Sequence, residues 1–572
     1  MSKMKTRFLS DINEDFDARS ETDKRVRKYI TPKSVVWKSV TNGAKVENEE
    51  VLLRKREGQI TLHANEPCIL RNKGAKASIL LDFGFEIQGG IQILAWSTGR
   101  NKSARLRVRF GESAMEAMSE LFGEKNSTND HAVRDLETEV SFMGNTEIGN
   151  TGFRFVRIDL LDEHSFVELK SVRAIFLYKD IEYKGSFRCN DELINKIWDT
   201  GAYTVHLCMQ DYLWDGIKRD RLVWIGDSHP ETLTIQAVFG YDEAIPKSLD
   251  LVRDETKLPG WMNDIPSYSM WWILVHEAFY NQNGNKEYLK EQRSYLLRLL
   301  EQLQKYISED GRDLMPNRFF DWPSSDNKKA VEAGVHALFI LTMEAGNKLC
   351  NVLGEKEAGL KCSKSAETLR KYCPHHGGSK QAAAFLALSG LEDSKSINES
   401  ILSVGGSRGM STFLGYYVLK AKALAGDIKG AIDCIREYWG GMLKMGATTF
   451  WEDFNIDWMK GAAAIDEIIT DDRIDIHGCY GDYCYKGYRH SLCHGWASGP
   501  TAWISEYVLG VKILEPGCKV IKIEPQLGDL QWAEGTYPTP EGVIYIRHEK
   551  QENGSILTKI EAPENITIIR EA

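Results

Sequence analysis

Glu192-Leu-Ile-Asn-Lys-Ile-Trp-Asp-Thr-Gly-Ala-Tyr-Thr-Val-His-Leu207 is the stretch on which the architecture turns. Its apolar residues Leu193, Ile197, Ala202 and Val205 recur at helical spacing and fall near one face. The helical period then persists, with similar segments at about 270–282, 286–307, 330–353, 355–372, 380–389, 411–424, 428–439 and 496–509. Short Gly, Pro or Asn interruptions separate them, which suits antiparallel helix pairs. This order, with polar aromatic segments between alternate pairs, fits an (α/α)6 barrel over 188–511.

On either side of this region the period is two. Ala77-Ser-Ile-Leu-Leu-Asp-Phe83, Gly90-Ile-Gln-Ile-Leu-Ala-Trp96 and Arg105-Leu-Arg-Val-Arg-Phe110 alternate apolar and polar residues between Gly, Asn and Asp breaks. Such repetition predicts a β-sandwich over 35–187. Residues 1–34 are polar and charged and read as an arm or a short amphipathic helix. Val520-Ile-Lys-Ile-Glu-Pro525 and Gly542-Val-Ile-Tyr-Ile-Arg547 predict a small C-terminal β-sandwich domain over 512–572.

The 572 residues exceed the roughly 250 at which single cores stop growing, so two or three domains are expected. A net charge of −10 argues against nucleic-acid or anionic-membrane partners, which need a basic footprint. The 15 Trp, 22 Tyr and 21 Phe suit a carbohydrate partner, whose C–H faces stack on aromatic rings. Eleven cysteines cannot all pair within one chain, and reduced thiols are the simplest reading. Cys479, Cys484 and Cys493 lie near His477 and His494, but no CxxC pair accompanies them, so neither metal nor cofactor is expected. The first residues lack an apolar leader core and no run of about 18 apolar residues occurs, so a cytoplasmic protein is expected. A homodimer stays open.

The loop after the opening helix concentrates charge among aromatics. Asp211, Asp215, Asp220, Asp227 and Glu231 are interleaved with Lys218, Arg219 and Arg221, beside Trp214 and Trp224. Burying so many ionisable groups is costly, so the loop is either a compensated ion network or a site that perturbs carboxylates.

Asp215-Gly-x-x-Arg219-Asp220-Arg221-Leu222-x-Trp224-x-Gly226-Asp227 resembles the signature of α-L-rhamnosidases, glycoside hydrolase family 78. Gly446-Ala-Thr-Thr-Phe-Trp-Glu452 and Ser491-Leu-Cys-His-Gly495 follow in the family's order, so the resemblance spans most of the chain from about residue 80. It implies the same (α/α)6 barrel and an inverting hydrolase that removes terminal rhamnose, with a general acid at Asp220 and a general base at Glu452. Family members commonly place a glutamate at the acid position, and counting back from Asp227 puts Asp220 there. Asp215, Trp224, Asp227 and His494 match positions that hold the sugar.

The residues themselves allow other readings. Asp220 could be tied up in an ion pair with Lys218, Arg219 or Arg221, Glu452 in a cap or network, and His494 in a polar helix end. If Asp220 is to keep its proton, at least one of Arg219 and Arg221 must be paired elsewhere. Trp261-Met-Asn-Asp264-Ile-Pro-Ser-Tyr268-Ser-Met-Trp271-Trp272 and Asn317-Arg-Phe-Phe-Asp321-Trp322 pair carboxylates with tryptophans. Asp264, Trp271, Asp321 and Trp322 are therefore sugar-binding candidates, with capping as the alternative for both aspartates. Arg219 and Trp451 join the set beside the acid and base. Glu231, after His229-Pro230, reads as a capping residue. Thr128–Asp135 is a polar loop, either solvated or leaning over the cleft. The stretch from Thr449 to Arg489 is longer than barrel closure needs. A related inverting glycosidase for another sugar, such as a uronic acid, and a non-catalytic carbohydrate-binding protein are the competing functions.

Overall fold

The computed structural model describes residues 21–570, apart from 64, 100, 101, 470 and 471. The expected arm lies outside the described residues as far as position 20, and its later part is not an arm. Arg25–Ile30 (β1) is a strand running antiparallel to a later one, with Val26 and Ile30 packed on the core and Arg27 and Lys28 exposed.

Ser34–Lys38 (β2), Ala44–Glu47 (β3), Cys68–Asn72 (β4), Ser78–Ser97 (β5), Ser103–Gly111 (β6), Asp135–Ser141 (β7), Gly144–Leu160 (β8) and Ser165–Lys179 (β9) follow. Together they make one nine-stranded sheet with the order β3-β4-β9-β5-β8-β6-β7, in which β1 adds to β9 and β2 to β5. β5 changes neighbours along its length, from β2 to β9, across register shifts near Gly89. Gly89 has φ +145°, and a Cβ there would meet the Ile175 carbonyl oxygen at 1.9 Å. A short helix, Ala114–Met118 (α1), sits between β6 and β7, capped by Ser113.

The helical region alternates between two sets. The first is Glu192–Cys208 (α2), Ala244–Glu255 (α4), Lys286–Gln304 (α6), Lys356–Leu369 (α8), Ser394–Ile397 (α10) and Ile428–Lys444 (α12). The second is Ser228–Val238 (α3), Pro266–Asn283 (α5), Lys328–Leu353 (α7), Lys380–Leu388 (α9), Gly415–Leu424 (α11) and Gly499–Trp503 (α13). Each helix of the second set packs on the next, and α13 packs back on α3, which closes a ring. Ring helices such as α5 and α9 are buried almost throughout, whereas α6 and α8 keep one apolar stripe. Asp191, Asn285, Asn327, Ser379 and Asp427 cap their helices, and Gly284 and Gly354 end theirs at positive φ.

The long stretch after Thr449 carries short 3₁₀ turns and the two-residue strands Ala462–Ala463 and Ile474–Asp475. Beyond the ring come a four-stranded and a three-stranded sheet. The four-stranded sheet begins with Ser186–Cys189, which pairs antiparallel with Trp532–Thr539. A boundary at 187/188 therefore cuts a strand whose partners lie at the other end of the helices. Four residues are too few to show a period in the sequence.

Candidate active site

The loop after α2 is shaped around Asp215. Its Oδ2 accepts the Asp220 amide at 2.8 Å and its Oδ1 the Leu222 amide at 3.0 Å, while its carbonyl accepts from Gly495 N at 2.8 Å. An aspartate that accepts neighbouring amides folds its own loop, as in Asx turns. The Arg219–Asp220 peptide is cis and Arg221 has φ +64°.

A second segment meets the first. Glu452 N donates to Ser491 O at 3.0 Å, His494 N donates to Phe450 O at 2.9 Å, and Ser491 N donates to Glu452 Oε2 at 3.0 Å. Three regions far apart in the chain are thus laced by backbone. The sheet anchors them from behind. The buried Lys218 ammonium lies 3.1 Å from Glu112 and 3.2 Å from Glu116, and donates to the carbonyl oxygens of Tyr488 and His490. Glu112 also accepts from the Leu492 amide. Glu112, Glu116 and His477 bring ligand atoms within 4.8 Å of one another, but Lys218 already supplies the positive charge there.

One guanidinium joins the two carboxylates assigned as acid and base. Arg219 Nη1 lies 2.6 Å from Asp220 Oδ1 and Nη2 lies 2.8 Å from Glu452 Oε1. Arg221 turns away, donating to Asn150 O at 2.7 Å with its guanidinium 4.6 Å over the Trp214 ring. Trp224 Nε1 donates to Asp220 Oδ2 at 3.1 Å, and His131 Nε2 lies 3.2 Å from Asp220 Oδ1. The polar loop at Thr128–Asp135 therefore leans over the cleft.

His494 faces three carboxylates, Asp215 at 3.6 Å, Glu452 at 3.7 Å and Asp227 at 3.9 Å. Burial disfavours its charge, but the close Asp215 carboxylate and the other two anions prevail and push its pKa up to about 9. Burial also opposes ionisation of Asp215, yet His494 and the Asp220 and Leu222 amides hold its pKa below the usual range. Asp227 goes the other way. Burial raises it well above an ordinary carboxyl, with the Asp215 charge adding and His494 opposing. The Tyr268 hydroxyl donates to its Oδ1 at 3.1 Å.

These groups line a cavity of about 130 Å³. Wider clefts of about 460 and 700 Å³ open elsewhere, but neither gathers Asp220, Arg219 and Glu452, so chemistry rather than volume marks the site.

 Of the residues expected at the site, Asp215, Arg219, Asp220, Trp224, Asp227, Trp322, Glu452 and His494 line it. Tyr268, Phe319, Tyr485, Arg489 and Trp496 join them. Their signal in the sequence was weak, because aromatics at helix starts and in long loops occur as often in cores.

Asp264, Trp271, Asp321 and Trp451 lie elsewhere. Trp271 is buried in the ring's core against His229, Phe385, Phe413 and Tyr417. Trp451 is buried edge-on to Phe454. Asp321 accepts from Ser324 N at 2.9 Å and Ser411 Oγ at 2.8 Å, a loop-tying role. Asp264 is exposed and makes no side-chain cap to α5. Glu231 does not cap α3 either, because it is buried against Gly495 with Oε1 unpartnered.

Residues 182–384 match the model of the bacterial α-L-rhamnosidase six-hairpin glycosidase domain, and residues 510–569 match the bacterial α-L-rhamnosidase C-terminal domain. Both matches are to domains of bacterial α-L-rhamnosidases. Among curated relatives, an α-L-rhamnosidase of Alteromonas sp. (strain LOR) is 24% identical over 456 residues, 70% of this chain and 46% of its own length. The chain thus spans less than half of that relative. Among solved structures, a glycoside hydrolase family 78 rhamnosidase of Bacillus sp. GL1 is similar at 23% identity and a TM-score of 0.72, covering 89% of this chain and 54% of that one. A rhamnosidase from Klebsiella oxytoca with rhamnose bound is similar at 18% identity and a TM-score of 0.66, covering 84% of this chain and 96% of that one. At these identities the likeness concerns the fold.

Proposed function

We propose that the chain is an inverting glycoside hydrolase that removes terminal α-L-rhamnose. The proposal reads the closed ring as an (α/α)6 barrel, with the bent nine-stranded sheet as a β-sandwich in front and a small β-sandwich behind. The observation that carries it is the shared guanidinium. Arg219 holds Asp220 and Glu452 at the two nitrogens of one planar fork, inside a cavity walled by Trp224, Trp322 and Tyr268. Two carboxylates held across one fork are compatible with the separation of roughly 6.5–9.5 Å that leaves room for a nucleophilic water.

Asp220 gives a proton to the leaving glycosidic oxygen, and Glu452 takes a proton from water on the opposite face of the sugar. The ring lies against Trp224 and Trp322, while His494 and Asp227 hydrogen-bond its hydroxyls. Water activation by Glu452 needs no metal. A purely sugar-binding role would not require both carboxylates to enter one cavity, and they do.

The test is hydrolysis of p-nitrophenyl α-L-rhamnopyranoside by the wild type, Asp220→Asn and Glu452→Gln, with the product anomer followed by NMR. Each variant is expected to lose about 10²–10⁴ in kcat while staying folded, the range of general acid–base contributions, and β-L-rhamnose should appear first. Retention of the anomer would reject the inverting assignment. Cleavage of other nitrophenyl glycosides but not the rhamnoside would replace the sugar, and binding without turnover of any would leave a lectin-like protein.

A further inference from the structure

Glu112 lies at the contact between the sheet and the loops of the ring. It follows β6, precedes Ser113, the cap of α1, and is fully buried. Three donors from the far side of that contact converge on its carboxylate. The Leu492 amide donates to Oε2, the Ser491 hydroxyl lies 3.3 Å from Oε1, and the Lys218 ammonium lies 3.1 Å from Oε2. A carboxylate can accept at all of these positions at once, because each oxygen carries two lone pairs.

Each donor is one step from Glu452. The Ser491 amide donates to Glu452 Oε2 at 3.0 Å, and Lys218 precedes Arg219, whose Nη2 lies 2.8 Å from Glu452 Oε1. The ring fixes the backbone of Glu452, since Thr412 Oγ1 and Trp496 Nε1 both donate to its carbonyl. Its carboxylate is aimed differently. Glu452 and Ser491 both sit outside helix and strand, so no local hydrogen-bond ladder sets the torsions of this side chain. A base must come within about 2.6–3.2 Å of the proton that it takes, and a misplacement of about 1 Å can cost about 10²-fold. Both oxygens of Glu452 are held by groups whose neighbours Glu112 anchors.

We propose that Glu112, contributed by the sheet, is a positioning residue for the general base. It fixes the Ser491–Leu492 peptide and Lys218, and through them the two contacts that aim Glu452 at its water. The inference rests on the assignment of Glu452 as the base. It makes the sheet a working part of the site, although none of its strands enters the ring.

The experiment is a double-mutant cycle on the full chain, with p-nitrophenyl α-L-rhamnopyranoside as substrate and the thermal midpoint as the check on folding. Glu112→Gln keeps the shape of the side chain and leaves Glu116, at 3.2 Å, to pair with Lys218. It is expected to lower kcat by about 10–100-fold with KM within about twofold, since a misaimed base harms the transition state more than substrate binding. In the Glu452→Gln background the same substitution should cost less than about twofold, because a base that is already gone cannot be misaimed. Should Glu112→Gln not fold, Glu112→Asp takes its place in the cycle. That variant keeps the charge for Lys218 but is too short to reach Leu492 N and Ser491 Oγ together. An unchanged kcat, a loss confined to KM, or losses that multiply across the cycle overturn the proposal. Full activity in Glu452→Gln rejects the parent reading and this one with it, whereas a slow Glu452→Gln beside a fully active Glu112→Gln rejects this one alone.

Discussion

Replacing His494 by glutamine takes a buried cation out of a ring of three carboxylates, and its cost should depend on pH in a defined direction. The folded pKa is about 9 against 6.5 for a free histidine. Each unit is worth roughly 1.4 kcal/mol, so the imidazolium contributes on the order of 3 kcal/mol. Because the folded value is raised, that contribution is fully present below pH 6.5 and is lost as pH rises through 9. The stability gap between wild type and His494→Gln, from denaturant midpoints followed by tryptophan fluorescence, should be large at pH 6 and shrink by about 3 kcal/mol by pH 9.5. Selective labelling of histidine should also show one ring signal titrating near pH 9 that is missing from the variant. Parallel pH profiles for the two proteins, or a gap that widens on the alkaline side, would refute the argument.

Two further substitutions test the placement of side chains. Lys218→Met leaves Glu112 without its cation and Glu116 with Arg134 alone, and breaking a buried pair in this way costs about 3–5 kcal/mol. The thermal midpoint should drop, and adding Glu112→Gln and Glu116→Gln should restore part of it. Trp271→Ala opens a void in the ring's core and should cost about 3–5 kcal/mol of stability. Trp322→Ala, at the cavity wall, should instead lower kcat/KM for a rhamnoside with little change in the thermal midpoint. The reverse ranking of the two tryptophans would show that the cavity wall is misassigned.

Outer helices such as α6 and α8 were legible because each keeps one apolar face over three or more turns. The period placed a helix at 286–307, and Lys286–Gln304 forms it. The acid loop was legible because five carboxylates among aromatics have no use in an ordinary surface turn. Trp271 was misplaced because a tryptophan at a helix start has the same signature whether it faces a sugar or the ring's interior. Arg25–Ile30 looked like an arm because Arg25, Arg27 and Lys28 crowd it with charge and the segment that it pairs with, Ala174–Lys179, lies far on in the chain. His131 was visible merely as one member of a polar loop. Its approach to Asp220 depends on the contact between sheet and ring, which no local pattern encodes.

The pairing of Ser186–Cys189 with Trp532–Thr539 also sets an order of events at the ribosome. Ser186 emerges 350 residues before Thr536, the residue that it bonds. At roughly 5–20 residues per second, the strand waits about 20–70 s with its edge open and Phe187, buried in the finished protein, exposed to solvent. The ends of the helical region are clasped together only once Trp532–Thr539 has been made, so a chain that stops before residue 532 holds a ring without its clasp.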